Sequence, residues 1–238
     1  MDKTVPPGAA ILLDFIRETE VGRSDRASYD VIYANKQGKL KQPLTTMNYG
    51  DVVDAQKAWS KNHGSSAAGA YQFMRATLIG LATEIHTISG KDIFTPDLQD
   101  RLGYHLLKRR GYEDFVTGKI TLVEFARKLA MEWASFPVLE DGKGSHRFIK
   151  RGQSFYAGDG LNKALVKPEK VEAVLSDVLA VARRPIDAPI PTPQPPRVEP
   201  HPGSNYRGIA ALIGAAAVAA GAWLASAPCN LFGFFCGG

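Results

Sequence analysis

Cysteine is nearly missing from this 238-residue chain: there are two, Cys229 and Cys236, both in the last ten residues. Residues 1–228 contain none, so that part of the chain needs no oxidising compartment to fold. Histidine is sparse as well. Five are scattered, no Cys-x-x-Cys accompanies them, and no metal-ligand spacing results, so neither a metal nor a cofactor is expected. No glycine-rich loop joins a strand to a helix, which removes a phosphate cradle. No Gly-x-Ser-x-Gly occurs, which removes a nucleophile elbow. Charge of one sign is also scarce, with a net of +5. The lone basic cluster KRRG at Lys108–Gly111 lacks interleaved aromatics and reads as a solvated helix end, so no nucleic-acid partner is expected. The mild excess favours approach to anionic surfaces. The opening MDKTVPPGAA has no apolar stretch bounded by a cleavage site. It does not read as a Sec signal peptide, and the chain is expected to be made in the cytosol and to leave it, if at all, by another route.

What is present divides the chain at two abrupt changes of composition. Pro185 to Pro202 reads PIDAPIPTPQPPRVEPHP, with eight prolines in eighteen residues. Such a stretch cannot occupy a helix or sheet interior; these eighteen residues predict an extended spacer of roughly 50 Å within the linker 185–207. Residues 208–227, GIAALIGAAAVAAGAWLASA, carry no charge and as a helix match a bilayer core of about 30 Å. This predicts a single transmembrane pass near the C-terminus, followed by a short tail, 228–238. Small residues in GAAAVAAG permit close approach of a partner helix, and Trp223 suits an interfacial anchor. Arg183, Arg184, Arg197 and Arg207 precede the run and no Lys or Arg follows it, which favours a cytoplasmic N-terminal side.

Residues 1–184 read as one mainly α domain (α+β) with a small β segment. ILLDFIRETE places Ile11, Leu12, Phe15 and Ile16 on one face. Asp51–Ser60 and Phe73–Ile88 predict further helices. TPDLQDRLGYHLLKRRG has Thr95 as N-cap, Pro96 at the first helical position and Gly111 at the close. TLVEFARKLAMEW carries the capping-box pair Thr121 and Glu124, and KPEKVEAVLSDVLAVARR is a last amphipathic helix. Strand character is confined to SYDVIYAN and the residues just after it.

With so many chemistries removed, carboxylates remain. Glu18 and Glu20 close the first apolar helix, where the chain turns polar and meets Gly22. A carboxylate at a helix end facing a cleft and flanked by apolar residues can have its pKa raised by desolvation and act as a general acid. The ordered set FIRETEVG, YDVIYAN, GSSAAGAYQF, FTPDLQD and EWASFP, over Leu12 to Pro137, resembles the lambda-endolysin family of peptidoglycan lytic transglycosylases, within the lysozyme-like superfamily. The resemblance implies a lysozyme-like catalytic domain, peptidoglycan glycan strands as substrate, and Glu20 rather than Glu18 as the acid. The chain has Glu20-Val21-Gly22 where the family commonly has Glu-Gly-Thr, and a longer segment from Gln37 to Asn62. The resemblance further implies glycan contact at Tyr29 and in the small-residue loop, where Ser65 and Ser66 offer hydroxyls, Gly69 lets backbone approach a sugar, Tyr71 stacks on or bonds a sugar, and Gln72 orients substrate or acid. The alternative for the loop is a tight turn with Tyr71 in the core.

The family's reaction needs only one carboxylate. Glu20 would protonate the glycosidic oxygen between N-acetylmuramic acid and N-acetylglucosamine, and the muramoyl 6-hydroxyl would close a 1,6-anhydro ring. Asp30, Asp51 and Asp54 are the nearest candidates for a second carboxylate, which would make a hydrolytic muramidase instead. A further reading is a glycan-binding structural protein of a virion or envelope. The expected setting is a phage or prophage product associated with the host inner membrane or a viral membrane.

Overall fold

The computed structural model describes residues 1–184; the linker, the apolar run 208–227 and the tail 228–238 lie outside the described residues. Seven α-helices occur in the described part: α1 (Pro7–Val21), α2 (Tyr49–His63), α3 (Arg75–Glu84), α4 (Pro96–Arg109), α5 (Tyr112–Val116), α6 (Leu122–Glu132) and α7 (Pro168–Ala182). One antiparallel hairpin, β1 (Gly142–Lys143) and β2 (Phe148–Ile149), pairs Gly142 with Ile149 and Lys143 with Phe148. None of the described helices is long and apolar enough to cross a membrane.

Local sequence explains most helix ends. Pro7 starts α1, where its missing N–H costs nothing. Gly22 ends it in the left-handed region, φ 70°, with its N–H on the Glu18 carbonyl. The Thr95 side chain accepts from Leu98 N at 3.2 Å to open α4, and Thr121 and Glu124 close a reciprocal capping box at α6. The core gathers Leu12, Leu13 and Ile16 of α1, Leu102 and Leu107 of α4, Phe125 and Leu129 of α6, and Val171, Leu175 and Val178 of α7, all fully buried. Helix α1 packs along α7, and the absence of a side chain at Gly8 allows it. A Cβ there would lie 2.7 Å from Tyr112 Oη and 3.1 Å from the Val178 carbonyl oxygen.

The structure departs from the sequence reading where long-range pairing decides. SYDVIYAN is not a strand: Arg26–Asp30 and Tyr33–Asn35 are 3₁₀ turns. Ala34 and Asn35 have φ of 49° and 56°, and two left-handed residues in succession end any extended run. Only Ile32 keeps ladder character, as an isolated bridge to Ala68. The β segment lies instead in the unforeseen hairpin after residue 141. Helix α2 is longer than the expected Asp51–Ser60, and α3 is shorter than Phe73–Ile88, because Phe73 is drawn into a bridge with Ala68.

Candidate active site

Glu20 sits in the last turn of α1. Phe15, one turn back, packs edge-on against Phe136, with centroids 5.5 Å apart and planes at 73°. This contact brings Trp133–Pro137, the chain leaving α6, alongside α1. Ser135 in that segment donates its hydroxyl to Glu20 Oε1. The segment is itself pinned: Trp133 Nε1 donates to the Tyr71 carbonyl at 3.2 Å, Ser154 Oγ to the Ala134 carbonyl at 2.7 Å, and Leu165 N to the Ser135 carbonyl at 2.8 Å. Burial pushes the Glu20 carboxyl up to about 7, against a smaller downward pull from the Ser135 hydrogen bond. The negative end of the α1 dipole disfavours the carboxylate in the same direction as burial. Glu18, two residues earlier, is exposed. Ser135 already donates to Oε1, so the proton of neutral Glu20 is best placed on Oε2, free to be given away.

The loop of small residues folds back on itself: Ala68 and Phe73 exchange both backbone hydrogen bonds, at 3.1 and 2.8 Å, and Gln72 N closes the turn on the Gly69 carbonyl at 3.0 Å. It is held by the start of α4. Gln99, fully buried, accepts from Ala70 N at 2.9 Å and donates to the carbonyls of Tyr29 and Phe94 at 3.0 and 3.1 Å. Asp100 Oδ1, also fully buried, accepts from Tyr71 Oη at 2.6 Å and Tyr29 Oη at 2.8 Å, and Arg17 of α1 donates on to the Tyr29 hydroxyl. Burial, then the Asp100 charge, pushes both tyrosine hydroxyls far up, so they stay protonated donors. All five sequence elements thus meet: helix end, YDV turn, small-residue loop, α4 start and the Trp133–Pro137 segment.

The residues singled out from sequence separate on these contacts. Tyr71 and Tyr29 are 1% and 4% exposed; their rings lie edge-on to one another, in the core position that was the alternative for Tyr71. Gly69, at φ +76°, has no room for a side chain: a Cβ would fall 2.3 Å from Gln99 Oε1. Its smallness serves Gln99. Ser66 is buried and its Oγ accepts from Arg75 N at 3.0 Å, while half-buried Ser65 accepts from Ala67 N at 3.3 Å. Gln72 is half-buried in a left-handed conformation, φ 48°, and its amide donates to the Gly69 carbonyl at 2.8 Å. Among the carboxylates offered as a partner for Glu20, Asp30 accepts from Thr45 N at 2.8 Å and Asp51 from Asn48 Nδ2 at 3.0 Å, while Asp54 is exposed on α2. Sequence reasoning missed Ser135, Gln99 and Asp100 as working residues, although each stands inside a quoted motif. Among the described residues, no group of three or more His, Cys, Asp or Glu is placed to hold a metal ion.

No curated protein and no solved structure matches the chain. One family model does, over residues 10–161, a stretch that takes in Glu20, the small-residue loop, Gln99, Asp100, Ser135 and the β1–β2 hairpin. With well over half its length matched, the chain belongs to the Endolysin family of peptidoglycan-degrading enzymes.

Proposed function

We propose that this chain is a phage or prophage lytic transglycosylase in which Glu20 is both acid and base. The observation that carries the reading is the desolvated Glu20 carboxyl, pushed up to about 7 and steadied by Ser135. Such a group is present in both protonation states at neutral pH, as the two halves of the reaction require. Neutral Glu20 gives its proton to the oxygen leaving the muramoyl anomeric carbon as that bond breaks. The muramoyl 6-hydroxyl bonds to the same carbon and returns its proton to ionised Glu20, so no water is consumed. Attack from within one sugar has the advantage of proximity. Mass spectrometry of the products tests it: 1,6-anhydro ends, lighter than reducing ends by one water, are expected, and reducing ends alone would establish a hydrolase.

The same proposal places the enzyme at a membrane through residues 208–227, with 185–207 as spacer. It is supported by twenty uncharged residues following a proline-rich stretch, long enough for a bilayer core. The arginine distribution favours a cytoplasmic catalytic side, so access to murein would follow permeabilisation of the membrane or release of the weakly apolar Ala-rich run. Full-length protein is expected in the membrane fraction, resisting salt and alkali. Its recovery without detergent would refute the tether and leave the run as a partner-binding segment.

A further inference from the structure

A cavity of about 460 Å³ opens between the β1–β2 hairpin and the loop leading to α7. It adjoins the segment that holds the acid. Ser154 on its wall donates to the Ala134 carbonyl, and Leu165, the residue after wall residue Ala164, donates its N–H to the carbonyl of Ser135. Two cations line it, Arg147 and Lys163. Both are exposed, and neither has an acidic partner among the described residues. Nearby cations differ: Lys150 is paired with Asp141, and Arg151 with Glu169 and Glu172.

Loop geometry seats Arg147. Gly158, at φ +113°, leaves its Cβ position to the Arg147 side chain, whose Cδ and Nε would lie 3.3 and 3.4 Å from a Cβ there. The acid of this loop, Asp159, is turned to its own backbone. It accepts from Leu161 N and Asn162 N at 2.9 Å and from Asn162 Nδ2 at 2.5 Å, contacts that hold it below the usual carboxylate range, with His146 a weaker contributor. The cavity therefore presents two positive charges without a salt-bridge partner among the described residues, beside the segment that holds Glu20, while the carboxylate of its loop accepts from its own backbone and from Asn162.

We propose that this cavity is a subsite for the carboxylates of the stem peptide borne by the muramic sugar. The inference rests on the reading of the chain as a muramoyl-cleaving enzyme. Cleavage beside a muramic sugar necessarily brings that sugar's lactyl-linked peptide close to the acid. The peptide's free carboxylates are the charges on the polymer that a guanidinium and an ammonium would recognise. Lys163 lies between two strongly exposed leucines, Leu161 and Leu165, 86% and 67% exposed, which offer apolar contact to small peptide side chains.

The test compares peptide-bearing murein with glycan strands stripped of peptide by an amidase. For the double variant Arg147→Ala, Lys163→Ala, KM on peptide-bearing murein should rise about tenfold or more, the loss expected for charge-assisted hydrogen bonds. Its kcat, its product ends and its KM on peptide-free strands should stay at wild-type values. Wild-type KM on stripped strands should approach that of the double variant on intact murein. Equal losses on both substrates, or unchanged KM on intact murein, would overturn the subsite while leaving the enzyme reading in place. A wild type inactive on both substrates would instead overturn the enzyme reading, and the subsite with it.

Discussion

At the scale of the residue, the role proposed for Glu20 sets stability against reactivity. Its pKa is raised by burial from an ordinary 4.5 to about 7, so the folded protein binds its proton more tightly than the unfolded chain does. The sign follows from linkage. Stability is undiminished below about 4.5, falls as pH rises through the interval, and above about 7 has lost up to about 3 kcal/mol. Glu20→Gln is therefore expected to cut kcat by about 10²- to 10⁴-fold yet to raise the melting temperature at pH 8, with little change at pH 4. Calorimetry at the two pH values checks this, and a variant less stable at pH 8 would count against the desolvated carboxyl. Ser135 acts in the opposite sense. Its hydroxyl favours the ionised form, so Ser135→Ala should move the alkaline limb of the kcat/KM profile to higher pH while lowering kcat through a less oriented proton. An unmoved limb would mean that the Ser135 hydroxyl does not reach the carboxyl in solution.

Among the elements, the small-residue loop and the start of α4 behave as one unit. Gly69→Ala meets both a left-handed backbone and Gln99 Oε1 at 2.3 Å, and is expected to cost about 2–4 kcal/mol through strain and disrupted buried hydrogen bonds. Urea titration of the folded protein measures it. Tyr71→Phe removes one donor to buried Asp100 and should cost about 1–2 kcal/mol with KM for murein unchanged; a raised KM at wild-type stability would return Tyr71 to the substrate. These contacts also show what the sequence could and could not disclose. Helices α4 and α6 carry their own end signals within a few residues, at Thr95 and Pro96 and at Thr121 and Glu124, and were readable for that reason; α1 was readable from its apolar face and the Gly22 that follows it, though not its start at Pro7. YDVIYAN has strand composition, but its form is set by left-handed Ala34 and Asn35 and a bridge to Ala68, which no local pattern records. Glu20 was legible from its place at a helix end and from a family likeness. The partner Ser135 stands 115 positions away, and the Tyr29 hydroxyl lies 71 positions from Asp100. Only the closed fold makes such neighbours known.

For the molecule as a whole, function depends on joining distant parts of the chain. The carboxyl comes from α1, its hydroxyl partner from the segment after α6, and the cations of the adjoining cavity from the β1–β2 turn and the loop before α7. The packing of α1 on α7, made close by Gly8, spans nearly all of residues 1–184, and closing so long a stretch of chain costs entropy that its buried contacts must offset. A chain stopped before Pro168 should leave the outer face of α1 uncovered and fail to clear murein, which a zymogram of truncated forms checks. The order of manufacture then matters. The ribosome delivers Glu20 among its first products, but until Pro168–Ala182 has also emerged the helix that carries it lacks a main packing partner. Nascent and broken copies are accordingly expected to be blunt, with the cutting edge gained when α7 arrives.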